Sequence, residues 1–132
     1  MGKTNYLENE VLRLSLGKPL VTTLPIDARL VLFTTLPGED GTGGVEVSGA
    51  GYTPVANVGS KYPDPTGAGS VANSADVSFG TAGSDWGTLR GFGIRIGSGG
   101  ALLRFAALTP NVPVTTGQPV LFPAGSLIFE EL

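Results

Sequence analysis

Cysteine and histidine are both absent from this sequence of 132 residues, and their absence removes most of the common catalytic and metal-binding chemistry. Without cysteine there are no disulfides and no thiolate nucleophiles. Without either residue there is no zinc site of the Cys/His type and no histidine-based triad. The side chain best suited to proton exchange near neutral pH is also missing. An enzyme built from this chain would have to rely on carboxylate pairs or on metal sites made of oxygen ligands.

Charge and long apolar runs are scarce as well. Only 14% of the residues are charged, and the net charge of −3 comes with no basic stripe, so nucleic acid is not an expected partner. No apolar run approaches the roughly 18 residues that a membrane span needs. The N-terminus shows no basic region followed by an apolar one, so we expect no secretory signal and folding in a cytosol.

Glycine and proline, by contrast, are abundant, with 21 and 10 copies. They stand between short runs of valine, leucine, isoleucine and phenylalanine, a pattern typical of a β-sandwich or barrel. The length favours one domain covering residues 1–132. No cysteine or histidine is needed to hold such a fold together.

The N-terminal segment is the one place where apolar residues recur at helical spacing. We predict a helix over about 5–16, capped by Thr4 or Asn5. Its apolar stripe consists of Leu7, Val11 and Leu14. An amphipathic terminal helix of this kind either packs over an open end of a sheet or reaches a neighbouring subunit.

After the helix the period of the pattern is two, which indicates strands. We predict seven or eight strands between about 28 and 131, joined by turns such as Pro110-Asn111. The predicted fold is an all-β, antiparallel, jelly-roll-like sandwich of about seven or eight strands with one short N-terminal helix. The predicted strands are 28–37, 45–58, 74–80, 85–96, 101–109, 112–116, 119–123 and 126–132.

The segment SDWGTLRGFGIRIG (84–97) tests whether the glycines form a phosphate-binding loop. A dinucleotide fingerprint needs a strand before the glycines and a helix after them, but another strand follows here. In a strand, the even positions from Trp86 to Ile96 are bulky. The odd ones, Leu89 and Arg95 apart, are glycine. We therefore predict a core strand whose bare face another backbone or an aromatic ring approaches closely.

Two residues of this strand carry separate predictions. Trp86, the single tryptophan, is expected in the core with Phe92. Arg90 falls on the apolar phase of the strand. Either a bulge shifts the register there, or its guanidinium pairs with a carboxylate.

Carboxylates such as Glu39 with Asp40, or Glu130 with Glu131, could pair for hydrolysis. None lies in an apolar context that would raise its pKa enough for a general acid. The acidic loop 38–46 lacks the alternating ligand spacing of a calcium site. We therefore expect no enzymatic activity, no catalytic residue, no metal and no cofactor.

Aromatic residues with a polar tip are enriched at interfaces, and two tyrosines flank or enter the proline-rich loop 59–69. The loop is long enough to be a contact element. The helix offers a second contact surface. The candidate interface residues are Tyr6, Leu7, Val11, Tyr52, Tyr62 and Asp64.

Five segments, taken together in their order along the chain, resemble small virion structural proteins of tailed bacteriophages, the tail-fibre-like and capsid decoration proteins. The resemblance covers about 100 residues from Leu30 to Phe129. It implies a β-sandwich without catalysis that is present in many copies on the particle. The segments are LVLFTTLPGEDGTGGVEVSGAGYTPV (30–55), VANSADVSF (71–79), DWGTLRGFGI (85–94), LLRFAALT (102–109) and GQPVLFPAGSLIF (117–129).

We expect a capsid decoration or cement protein first, because the chain is short and compact. A tail, collar or tail-fibre accessory protein is the first alternative, and a carbohydrate-binding module is the second. The expected partners are other virion proteins, either the major capsid protein or tail proteins, together with further copies of the chain. The expected location is the virion, assembled in the host bacterial cytoplasm.

Overall fold

The computed structural model describes residues 2–131 and arranges them as an antiparallel β-sandwich preceded by one α-helix. The termini of the predicted domain, residues 1 and 132, lie outside the described residues. So does the last position of the predicted strand 126–132. The elements are β1 Gly2–Lys3, α1 Asn5–Ser15, β2 Ala28–Thr35, β3 Val45–Glu46, a 3₁₀ turn Val58–Lys61, β4 Ser70–Ala72, β5 Val77–Thr81, β6 Gly87–Ile96, β7 Leu102–Val114, β8 Pro119–Phe122 and β9 Ile128–Glu130.

One layer is a five-stranded sheet in the order β1-β7-β6-β2-β3, and the opposing layer consists of two separate ladders, β4-β9 and β5-β8. All the pairings are antiparallel. Leu32 and Phe92 from the sheet meet Phe79, Phe122 and Phe129 from the ladders in the main core. The predicted sandwich with one short N-terminal helix is confirmed.

The other face of the large sheet carries a smaller core, formed by Val31, Phe33, Leu102 and Phe105 with Leu36 packed against it. The glycines of β6 make room for these side chains. A β-carbon on Gly93 would lie 3.1 Å from Phe33 Cε2 and 3.2 Å from Leu102 Cδ1, and one on Gly91 would meet Leu36. The predicted close approach to a bare glycine face is confirmed.

The two faces of β6 are not strictly alternating. Trp86, Leu89 and Phe92 all lie in the main core, so the prediction that Leu89 belongs to the bare face is wrong. Gly87 has a φ of 89°, and the register against β7 shifts between Leu89 and Gly91. These two irregularities turn Leu89 toward the core. The burial of Trp86, 5% exposed, is confirmed.

Arg90 occupies this register shift, which confirms the predicted bulge. The side chain is exposed and its partner is an amide, not a carboxylate. With the Asn111 amide nitrogen donating to the Leu108 carbonyl at 3.2 Å, the amide oxygen accepts from Arg90 Nη1 at 3.1 Å.

The turn predicted at Pro110-Asn111 is wrong, and the same irregularity is the reason. β7 runs without interruption from Leu102 to Val114, so the two strands predicted at 101–109 and 112–116 are one. Pro110 and Asn111 lie inside it because the bulge absorbs them, instead of reversing the chain.

Other strand boundaries differ from the predicted ones where short segments pair with residues distant in the sequence. The predicted strand 45–58 pairs as a strand only at Val45–Glu46 and rejoins the sheet at a single bridge between Leu30 and Val55. Two short strands, β1 and β4, were not predicted. They are two and three residues long, too short for alternation to show, and their partners lie far along the chain.

The helix Asn5–Ser15 confirms the predicted 5–16. Thr4 is the N-cap, and its side-chain oxygen accepts from the Leu7 amide at 3.4 Å. Gly17 follows the helix with a φ of 70°, the left-handed conformation that ends helices. No helix among residues 2–131 is long and apolar enough to cross a membrane.

The glycine face of β6 yields a stability prediction. In Gly93→Ala the new methyl group would lie 2.7 Å from the Arg104 carbonyl oxygen, a backbone atom that cannot move without disturbing the sheet. We expect a loss of about 1–3 kcal/mol in the free energy of unfolding, measured by urea denaturation. Gly99→Ala is the matched control, because nothing lies within 4 Å of its β-carbon position. Equal unfolding midpoints for both variants would contradict the close-approach argument.

Candidate interaction surfaces

The first surface is the N-terminal arm, which we define as α1 and the segment 16–27 that follows it. Its root is fixed by Thr4, which is fully buried. The Thr4 amide donates to the Leu103 carbonyl at 2.9 Å, and Thr4 Oγ1 lies 2.6 Å from the Leu102 carbonyl oxygen. The arm therefore leaves the sandwich from a tight attachment on β7.

The segment after the helix is held against it by Glu10, the one buried residue of α1. Glu10 Oε2 accepts from the Thr22 amide at 2.8 Å, and Oε1 accepts from the Val21 amide at 3.1 Å. The Tyr6 hydroxyl bonds to Thr22 Oγ1 at 2.5 Å. The hydrogen bonds that Glu10 itself accepts, that from the Thr22 amide foremost, hold the pKa of Glu10 below its ordinary value of 4.5. The arm is thus two antiparallel segments joined by polar contacts.

Six large apolar side chains of the arm are exposed to solvent. Leu14 and Leu16 are 68% and 67% exposed, and four others are between 42% and 67% exposed. Monomeric proteins rarely show so many large apolar side chains in one short segment. The predicted stripe therefore does not serve mainly to cover the sheet. The four others are Val11, Leu12, Val21 and Leu24.

The second surface is a groove of about 700 Å³, half open to solvent, beside the proline-rich loop. Its walls are Pro63, Pro65 and the loop glycines, and its floor is apolar. The floor side chains are Val58, Tyr62, Val71, Ile94 and Phe129. This volume falls in the range of small-ligand and peptide side-chain pockets.

Tyr62 is part of the groove floor and is firmly held there. Its ring centroid lies 5.7 Å from that of Phe129, and its hydroxyl donates to the Leu127 carbonyl at 3.0 Å. Burial raises the pKa of Tyr62 above its ordinary range, so the hydroxyl stays protonated. Tyr62 therefore presents ring surface to the groove while its polar tip is satisfied internally.

Three charged residues also line the groove: Asp64, Arg104 and Glu131. Arg104 Nη2 lies 2.8 Å from Glu131 Oε2, and Lys3 pairs with the other oxygen of the same carboxylate. Hydrogen bonds from Lys3 and then Arg104 hold the pKa of Glu131 below its ordinary value. Because Lys3 precedes the root of the arm, Glu131 joins the edge of the groove to that root.

Tyr52 lies elsewhere, at the margin of the main core. Its ring stacks on Phe79 and meets Trp86 edge-on, with centroids 6.1 and 5.5 Å apart. Its hydroxyl donates to Glu46 Oε2 at 2.9 Å and accepts from the Leu32 amide at 3.1 Å. Burial raises the pKa of Tyr52. Its interface role stays a prediction, and the contacts seen are those of a residue that joins β2, β3 and the core.

The six candidate interface residues thus fall into three places. Tyr6, Leu7 and Val11 come together on the arm, Tyr62 and Asp64 come together in the groove, and Tyr52 stands apart. Sequence reasoning missed the arm residues after the helix because they follow no periodic pattern. It missed the groove floor because strands distant in sequence build it. The residues missed are Leu16, Val21 and Leu24 on the arm, and Ile94, Arg104 and Phe129 in the groove.

Two further carboxylates, those of Asp40 and Asp85, bond to backbone amides. Asp40 Oδ1 accepts from the Thr42 amide at 3.0 Å, and Asp85 Oδ1 accepts from the Thr116 amide at 2.8 Å. Both amide bonds lower the pKa of the carboxylate concerned. Within residues 2–131 no three acidic side chains gather as a possible metal site.

The Glu10 contacts yield a prediction about pH. Because the folded-state pKa of Glu10 is lowered, its stabilisation of the arm is complete above the unfolded value near 4.5 and is lost as the pH falls through the lower folded pKa. We expect the amide protection factors of Val21 and Thr22, measured by hydrogen exchange, to decline over that acid range. Glu10→Gln should lower them several-fold at pH 6 and remove the decline, because an amide side chain can face only one of the two donors with its oxygen.

Glu8→Gln is the control for this experiment, since Glu8 is an exposed glutamate of the same helix. Its protection profile should match that of the unmodified chain. An unchanged acid decline in Glu10→Gln would show that another group holds the arm.

Comparison with known protein families identifies the family of the chain. The family described as "Podophage GP4 fiber I protein gp80" matches residues 2–130, nearly the whole chain. No curated protein matches the sequence. The match supports the resemblance to phage structural proteins and places the product among virion components. The chain belongs to the family of the podophage GP4 fiber I protein gp80, and it is a phage virion structural protein.

Proposed function

We propose that this chain is a non-enzymatic fibre component of the virion and that the N-terminal arm is the surface buried on assembly. The observation that carries the proposal is the arm itself. It is rigidly attached at Thr4, braced by Glu10, and directs Leu14 and Leu16 into solvent. A family described as a fibre protein supplies the setting in which such a surface finds its partner.

Exposed leucines of this kind favour association. Complete burial of one such side chain is worth about 1.5–3 kcal/mol relative to exposure. Because Glu10 and Tyr6 already hold the arm in one conformation, little ordering entropy is lost when it docks. Modest contacts of this kind, repeated over many copies, hold a particle component in place by avidity.

The family description supports a fibre role over the capsid decoration role that we expected first. Decoration of the head remains a second candidate, favoured by the short, compact chain. A carbohydrate-binding module has less support, because Trp86 is buried and Tyr52 is packed against Phe79. The backbone-bonding roles of Asp40 and Asp85 support a non-enzymatic protein.

Localisation on the particle tests the fibre proposal. We expect cryo-electron microscopy of purified virions, with antibody labelling of this chain, to place it on fibres. Density only on the capsid lattice would favour the decoration candidate instead. Absence of the chain from purified virions would overturn both.

A second prediction concerns the arm. Leu12→Ser combined with Leu14→Ser removes two exposed side chains, 57% and 68% exposed, without touching either core. We expect unchanged circular dichroism and at least about a tenfold lower incorporation into virions, measured by quantitative immunoblot. Leu121→Ser is the control, because Leu121 is 51% exposed on β8 but belongs to neither surface. Equal incorporation of all three proteins would show that the arm is not the assembly surface.

A further inference from the structure

Two apolar surfaces of this chain have no apolar partner within residues 2–131. The groove is lined without any residue of the arm, and it is open to solvent. The outward side chains of the arm are likewise in solvent. Both surfaces lie at the same edge of the molecule, because Glu131 lines the groove and pairs with Lys3 at the root of the arm.

The arm does not turn toward the groove of its own chain. The Asn5 amide donates to the Glu39 carbonyl at 2.7 Å, so the helix starts toward the loop 36–44. That loop begins at Leu36, which packs on the smaller core. Ile94, in contrast, packs against the main core and lines the groove on the other face of the sheet. Occupation of the groove by its own arm would require breaking the anchor at Thr4.

The two surfaces match in chemistry. Residues 11–24 of the arm are mostly apolar and contain no acidic residue. Of their two cations, Arg13 pairs with Glu10, with Arg13 Nε 3.8 Å from Glu10 Oε1, and Lys18 is exposed.

The groove floor is apolar. Of the three charged side chains in its lining, Arg104 and Glu131 pair with each other, and Glu131 also pairs with Lys3, so the exposed Asp64 is the charge that a docking segment meets. An apolar, cationic segment is the occupant that this lining favours. A sugar would find few free polar groups here, since Arg104 and Glu131 bond to each other and the Tyr62 hydroxyl bonds to Leu127.

We propose that the arm of one copy docks into the groove of a second copy of this chain. The inference rests on the proposed function, in which the arm is buried on assembly, and it names the partner. Donor and acceptor are different surfaces of the same chain. Two copies related by a two-fold axis would exchange arms reciprocally, whereas any other rotation gives a head-to-tail contact that closes into a ring or continues as a filament.

The absence of cysteine allows a direct test by disulfide trapping. Leu14→Cys introduces a thiol on the arm, and Thr66→Cys introduces one in the groove wall. Mixing the two single variants under mild oxidation should give the mixed disulfide at about ten times the yield obtained with Leu14→Cys and Leu121→Cys. Leu121 serves as the control position because it is exposed outside both surfaces.

Mass in solution provides the second measurement. Light scattering should give the unmodified chain a mass above the 13.4 kDa of one copy. The double variant of Leu12 and Leu14 to serine, and separately Asp64→Lys at the groove, should each shift the protein toward the monomer. Asp64 is exposed, so this second variant tests the groove without altering a core residue.

Each outcome is decisive. Trapping no better than with the Leu121 control, or a mass unaffected by both the arm and groove variants, would overturn docking between copies. If Leu14→Cys in virions is trapped only to a different virion protein, docking between copies is wrong while the proposed function stands. Oligomers in solution that the arm and groove variants dissociate, combined with absence of the chain from virions, would support docking between copies and overturn the proposed function.

Discussion

The two unlike faces of β6 are the constraint on which the rest of the structure depends. Trp86, just before the strand, and Phe92 within it fill the main core, while Gly91 and Gly93 leave the other face bare. A side chain at either glycine would collide with a backbone carbonyl of β7, so the close pairing of these strands requires glycine. The central strand β6 thus separates the main core from the smaller core.

The smaller core, on the glycine face of β6, lies where the arm begins. Phe33 and Leu102 pack over Gly93, and Leu36, where the loop 36–44 begins, packs over Gly91. The helix then has two attachments, the Leu103 carbonyl for Thr4 and the Glu39 carbonyl for Asn5. The arm is therefore anchored beside the face that the β6 glycines leave bare, although these glycines are far from Thr4 in the sequence.

Much of this architecture was predictable from the sequence, because its local signals are strong. The helix and the glycine-bearing strand show periodicity, the strand predicted at 28–37 is a continuous apolar run, and the structure confirms all three elements. The bulge at Arg90 was also foreshadowed, by one residue on the wrong phase. The path of β7 through Pro110 was not, since a proline beside an asparagine normally indicates a turn and only the pairing with β6 overrides it.

The two surfaces were predictable only in part, because residues distant in the sequence come together to build the groove. Tyr62 and Asp64 stand in a loop whose composition marks it as a contact element, and they line the groove. The groove floor, however, is built from Ile94 and Phe129, which appear in the sequence as ordinary core residues of two separate strands.

A chain with 14% charged residues and several exposed leucines is poorly suited to remain alone in solution. The low charge is tolerable where neighbouring copies or particle components cover that surface. Glu10 and Thr4 hold the apolar segment rigidly away from the sandwich, which keeps it from collapsing onto its own groove. The hydrogen bonds of Thr4 and Glu10 and the apolar exterior of the arm therefore have one physical role, which is to present a preformed surface to another molecule.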